Sequence, residues 1–306
     1  MAFAEMDVSE IWMDGEFCDW EDANVHVLTH ALHYGSGVFE GVRCYDTDNG
    51  PAIFRWDAHL DRLYNSAKPY DLDIQYDKDE LTAATLETIR RNDLASCYVR
   101  PIVFYGYHSL GVSPGDCPTV TAIAAWPWGA YLGDGALENG VDVKVSSWRK
   151  HASSQIPTNA KTTGLYVNSL LAGEEARQNG YAEAIVLNKE GYVAEGPGEN
   201  LFLVRDGEIH TPGLSQSILD GITRDSVIEI ARENGYTVHE DAMISRGELY
   251  TADELFFTGS AAEVTPIRKV DNVTISDGRG PITEDIQQSF FEIVESGERK
   301  EWFTYV

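Results

Sequence analysis

The chain has 306 residues, 43% of them hydrophobic, enough to build a sizeable core, and its fifty acidic against twenty-three basic residues give a formal net charge of −27. That charge repels polyanions at long range and argues against nucleic acid or an anionic membrane as partner. No apolar run approaches the ~18 residues that span a bilayer, the start MAFAEMDVSE has no basic-then-apolar leader, and Cys18, Cys44, Cys97 and Cys117 form neither a CxxC pair nor a metal-type cluster, so a reduced, cytoplasmic protein is expected. The acidic residues are scattered and form no tail, as in a solvated shell adapted to high salt.

Strand-like and helical runs alternate through the first 126 residues. AIFRW reads as a strand, and DAHLDRLYNSA places Leu60, Leu63, Tyr64 and Ala67 on one helical face. Asp77 and Glu80 make a capping-box start to a second helix, and CYVRPIVFYG and TVTAIAAW follow as strands. PWGAYLGDG breaks the pattern, which places a boundary there: a small N-terminal α/β domain over 1–126, a connecting loop over 127–135 and a larger domain over 136–306. In the second half VDVKVSSW, AEAIVLN, GYVAE and LFLVR are strand-like, and Asp206-Gly207 is a hairpin signal. Helices are expected after Lys161 to about Gly180, over ITRDSVIEIAREN with Gly235 as its stop, and near the end where Ile286, Phe290 and Ile293 are in register. There is no internal repeat or low-complexity tract.

Three apparent motifs fail on spacing. Lys161-Thr162 lacks the GxxxxG of a phosphate-binding loop, and Gly35-Ser36-Gly37 lacks the third glycine of a dinucleotide fingerprint. His26, His30 and His33 share a helical face without an HExxH glutamate, and packing histidines are the simpler reading.

Lys161 itself is unusual. It is one of eight lysines, set in IPTNAKTTGLY far from other charges. A surface loop lysine is the plain reading, while a desolvated amine that attacks an aldehyde to give a Schiff base is the chemical one. Pyridoxal phosphate is the common cofactor that fits, and it needs a partner for its ring nitrogen and a phosphate cradle. Glu195, where a strand enters the GPG turn, can keep that nitrogen protonated; alone it is a solvated turn glutamate. Gly221 before a helix start turns the amides of Ile222 and Thr223 and the Thr223 hydroxyl toward an anion, and TGSAA is a second small-residue turn with amides and a hydroxyl.

HALHYGSGVFEGVRCY, HLDRL, YVRP, AWPWGAYLG, IPTNAKTTGLY, EGPGENLF, GITRD and TGSAAEVTP, in that order and nearly end to end, resemble the fold-type IV aminotransferases that use pyridoxal 5'-phosphate, above all the branched-chain amino acid aminotransferases. The resemblance implies a two-domain α/β (α+β) fold with the cofactor in the larger C-terminal domain. It implies transfer of the amino group of L-leucine, L-isoleucine or L-valine to 2-oxoglutarate, giving glutamate and branched-chain 2-oxo acids by a ping-pong route through pyridoxamine phosphate. Lys161 would be the catalytic lysine and proton shuttle. Arg62 would clamp the phosphate with Ile222, Thr223 and Ser260, Tyr166 would bond the phenolic oxygen and Glu195 the ring nitrogen. Tyr98 and the amides of Ser260 and Ala261 would hold the α-carboxylate, and Phe39, Trp128 and Tyr131 would wall an apolar pocket, although each aromatic alone is more often core. Tyr34 and Val112 would come from a neighbouring subunit, so a homodimer at least is implied, with no metal.

Arg100 in YVRP favours the branched-chain enzymes over D-amino acid aminotransferases and lyases on the same fold, which are the rival readings, together with a catalytically silent acidic binding protein. Two departures stand out: serine in TGSAA where threonine is common, and Leu110 where some relatives carry methionine.

Overall fold

The computed structural model describes residues 6, 8–129, 131–133 and 135–306, so Ala130 and Asp134 of the expected connecting loop lie outside the described residues. The chain forms two compact units, one of Met1–Gly129, Ala160–Leu165 and Ile293–Val306, the other of Ala130–Asn159 and Tyr166–Glu292. The sequence boundary at 127–135 corresponds to the first crossing only. Two later segments return to the first unit because they pair there: Thr162 bridges Val38, and Phe303–Tyr305 pairs with Gly50–Phe54.

In the first unit an eight-stranded antiparallel sheet centres on Cys97–Tyr105. Gly37–Phe39 and Val42–Thr47 run along the same side of that strand, pairing with its two halves. The break between them falls at Glu40-Gly41, where a side chain on Gly41 would collide with the Tyr98 hydroxyl. Helix Trp56–Ala67 buries Trp56, Leu60, Leu63 and Ala67 in the sheet's core as the apolar spacing predicts, and His59, Arg62 and Ser66 form a polar stripe at i, i+3, i+7. Helix Lys78–Arg91 starts with the expected capping box of Asp77 and Glu80. The shared helical face expected of His26, His30 and His33 does not form, because the helix covers only His30–Tyr34; His30 is buried against the Ser36 hydroxyl and the Gly111 carbonyl.

The second unit holds a nine-stranded mixed sheet, with Val141–Arg149 parallel to both Glu183–Leu187 and Glu263–Val270. Its core includes Val143, Ile185, Leu201, Phe257 and Ile267. Asp206 and Gly207 turn the hairpin between Asn200–Arg205 and Glu208–Pro212, both with positive φ (53° and 79°), as a type I′ turn requires. Helices Tyr166–Gln178, Ile222–Glu233 and Pro281–Ser296 complete it, and Gly180 and Gly235 follow the first two with positive φ. Among the described residues no helix is long and apolar enough to cross a membrane.

Candidate active site

In the first unit the sheet break points Glu40 at the polar stripe of helix Trp56–Ala67. Arg62 donates to both Glu40 oxygens at 2.8 Å, and His59 Nδ1 lies 2.7 Å from Oε2. Burial alone raises a carboxyl's pKa, but the Arg62 guanidinium and His59 outweigh it and hold Glu40 well below the usual carboxylate range. Burial also pushes His59 down, so this imidazole is neutral at pH 7, and an ionised Glu40 fixes its proton on Nδ1. The Arg62 fork is therefore locked in orientation by an anion on one edge.

Lys161 sits on this assembly. Its backbone N–H donates to the Ser66 hydroxyl at 2.9 Å, its carbonyl accepts from Phe39 N–H at 3.0 Å, and Nζ lies 5.1 Å from the Phe39 ring centre. The strap is pinned farther on, where Gly164 N–H and the Thr163 hydroxyl both donate to the Gly35 carbonyl; a Cβ on Gly35 would stand 2.6 Å from Gly164 Cα, so this approach demands glycine. Burial and the Arg62 charge lower the Lys161 amine to about 8, with Glu40 pulling the other way. About a tenth of the amine is thus neutral at pH 7, against well under a thousandth for an ordinary lysine, and the neutral form is the one that attacks a carbonyl.

Next to Lys161 the Arg100 guanidinium lies 4.8 Å from the Phe39 ring centre, 5.4 Å from Tyr98 and 6.0 Å from Trp126. Its Nε is buried without a hydrogen-bond partner. Tyr98, Trp126 and Trp128 pack against one another with tilted rings, centres 4.6–5.4 Å apart, and the buried Arg43 holds the Trp128 and Gly129 carbonyls. Tyr34, Leu110 and Val112 are exposed, Val112 at 86%.

In the second unit Glu195 is buried at the end of strand Val193–Glu195. Its Oε1 accepts from Lys150 Nζ, and Oε2 accepts from Asn200 Nδ2 at 3.1 Å and Leu219 N–H at 2.9 Å. Asn200 also donates to the Leu219 carbonyl, and its Oδ1 fills the space a Cβ on Gly221 would occupy, which ties Glu195 to the next helix start. That helix, Ile222–Glu233, begins at Gly221 with no side-chain cap, so the buried amides at Ile222 and Thr223 keep their anion-attracting ends. Ser260 and Ala261 lie in the turn between strands Glu254–Gly259 and Glu263–Val270, which Gly259 enters beside Gly198 and Glu199. Tyr166, partly buried, opens helix Tyr166–Gln178, and Tyr131 is exposed.

A family model described as Amino-transferase class IV matches residues 37–270. The chain belongs to the class IV aminotransferases. This aminotransferase is 50% identical over 294 residues to the branched-chain-amino-acid aminotransferase of Escherichia coli K12, with 95% of each chain covered. The crystal structure of the E. coli branched-chain amino acid aminotransferase superposes with a TM-score of 0.94 at 49% identity, over 97% of this chain and 98% of that one. A T.th. branched-chain amino acid aminotransferase complexed with N-(5'-phosphopyridoxyl)-L-glutamate gives 0.93 at 45% identity, over 98% and 99%. The fold-type IV architecture expected from the sequence is the one found.

Each unit carries groups that fit pyridoxal phosphate: the first a lowered lysine amine and a locked arginine fork, the second an uncapped buried helix start and a carboxylate whose Oε1 has one of two acceptor positions taken. Sequence reasoning missed Glu40, His59, Ser66, Arg43, Trp126, Lys150 and Asn200. Three of these had signals: Glu40 lies inside the apolar run GVFEGV, and His59 and Ser66 lie on a polar stripe beside the apolar face of their helix.

Proposed function

We propose that the enzyme transfers the amino group of L-leucine, L-isoleucine or L-valine reversibly to 2-oxoglutarate, yielding glutamate and branched-chain 2-oxo acids, with pyridoxal 5'-phosphate as cofactor. The observation that carries this is Lys161, its amine brought down to about 8 beside the aromatic cage that holds Arg100. When bound, the cofactor supplies an aldehyde and an electron-accepting ring that makes a substrate α-proton acidic.

In the first unit, Lys161 Nζ takes and returns that proton. Arg62, oriented by Glu40, offers its charge to phosphate. Tyr98 is assigned to the substrate α-carboxylate, Phe39 and Trp128 to the walls of the side-chain pocket, and Arg100 to the distal carboxylate of glutamate. In the second unit, Glu195 accepts from a ring N–H, Tyr166 bonds the phenolic oxygen, and Ile222, Thr223 and the Ser260 hydroxyl hold phosphate oxygens. The Ser260 and Ala261 amides serve the α-carboxylate, and Tyr131 the side-chain pocket. Tyr34 and Val112, at 45% and 86% exposure, are side chains a chain can lend to a second copy, which supports a cytoplasmic homodimer at least.

The test is glutamate formation from 2-oxoglutarate with single amino acids. L-leucine, L-isoleucine and L-valine should each support it and D-leucine should not. Turnover with the D form alone would transfer the assignment to a D-amino acid aminotransferase.

A further inference from the structure

Strand Val238–Ala242 forms one edge of the second unit's sheet and runs parallel to Glu208–Pro212, with His239 opposite His210. The two imidazoles stack at 4.6 Å with 14° between their planes. Glu208 Oε2 lies 2.9 Å from His239 Nε2, and one donor atom from each of Glu208, His210 and His239 falls within 4.8 Å of the other two. The histidines line an open groove of about 560 Å³ with Arg205, Asp241 and Met243. None of the three has a part in amino-group transfer.

We propose that Glu208, His210 and His239 bind a divalent transition-metal ion of the zinc class. An ion with bonds of about 2.0–2.2 Å sets its donor atoms about 3.4 Å apart, so the exposed Glu208 and His239 would turn toward the half-buried His210 to close on it. Two imidazoles and one carboxylate select zinc, nickel, cobalt or copper over magnesium and calcium, which prefer all-oxygen shells. The ion takes the place of the hydrogen bond between Glu208 and His239, any proton on His239 Nε2 passing to solvent or to Nδ1, and water fills its remaining positions.

Arg205, a positive charge lining the groove, is committed to Glu248 and the Thr251 hydroxyl, and the chain's −27 charge favours any cation. Bound there, the ion cross-links an edge strand to its neighbour, where the register shifts between His210 and Pro212.

The experiment uses the cofactor-loaded enzyme, stripped of adventitious metal by a chelator. Zinc titration by calorimetry should give one ion per chain, with no magnesium binding at the same concentrations, and zinc should raise the thermal midpoint. The His210→Gln/His239→Gln double variant should lose that binding by at least 100-fold and lose the midpoint shift, with leucine transamination unchanged. Crystals of the parent enzyme soaked in zinc should show an anomalous peak between Glu208, His210 and His239. Equal zinc affinity in the double variant, or an anomalous map with no peak at these three residues, overturns the proposal.

Discussion

Replacing Arg100 with methionine should separate the two half-reactions. The guanidinium is caged by Phe39, Tyr98 and Trp126, and its buried Nε lacks a partner, so an incoming distal carboxylate supplies an acceptor the protein does not. A charge-assisted hydrogen bond of this kind contributes about 1.5–3 kcal/mol, a factor of roughly 10 to 150 in rate. Methionine keeps much of the volume and can contact the same rings, so the apolar pocket survives. The lost cation–π attraction, about 0.5–2 kcal/mol, falls on both substrates alike. Single-turnover measurements with leucine and with glutamate, each followed by the cofactor's absorption, should show the glutamate step slowed by about 10-fold to 150-fold and the leucine step by much less. Equal losses would mean that Arg100 serves the shared α-carboxylate or the local packing, and its part in dual recognition would be abandoned.

Glu40→Gln removes the anion that orients Arg62 in a buried pair, so the unfolding free energy should drop by about 3–5 kcal/mol and cofactor affinity should fall with it; denaturant titration showing a loss under 1 kcal/mol would refute the locking role. The folded Lys161 amine, at about 8, lies below its ordinary 10.5, so the unfolded chain binds more protons between these values. Stability of the cofactor-free enzyme should therefore rise with pH from about 8 to 10.5, and a Lys161→Met variant that kept the same rise would contradict this. The charge of −27 predicts a thermal midpoint that climbs with potassium chloride into the molar range through screening, and a flat or falling curve would dismiss a salt-adapted shell.

Much of the chain could be read locally. The Asp77–Glu80 capping box, the Asp206-Gly207 hairpin and the apolar face of helix Trp56–Ala67 each depend on a few adjacent residues, and each formed as read. Lys161 stood out because its neighbours are small and uncharged. What sets its amine, however, is nonlocal: burial, the Arg62 charge and Glu40 act on it across the fold, and Ser66, 95 residues away, holds its backbone N–H. Lys150 and Glu195, 45 residues apart, meet through tertiary packing that no periodicity reports. The return of 160–165 to the first unit rests on a bridge to Val38 and on scattered bonds to Gly35, Phe39 and Ser66, which leave no pattern in the sequence. His26 failed as a helical residue for the converse reason, since correct spacing without a helix to carry it places nothing.

The most direct measurement is the absorption spectrum of the purified enzyme beside its Lys161→Ala variant, first alone, then with L-leucine, then with 2-oxoglutarate. The parent should show a visible cofactor band that leucine discharges and 2-oxoglutarate restores, with one glutamate formed per cycle, and the variant should fold but complete no cycle. A variant that cycles at near the parent rate, or a parent band that L-leucine leaves unchanged, would contradict Lys161 as the catalytic residue of a branched-chain aminotransferase.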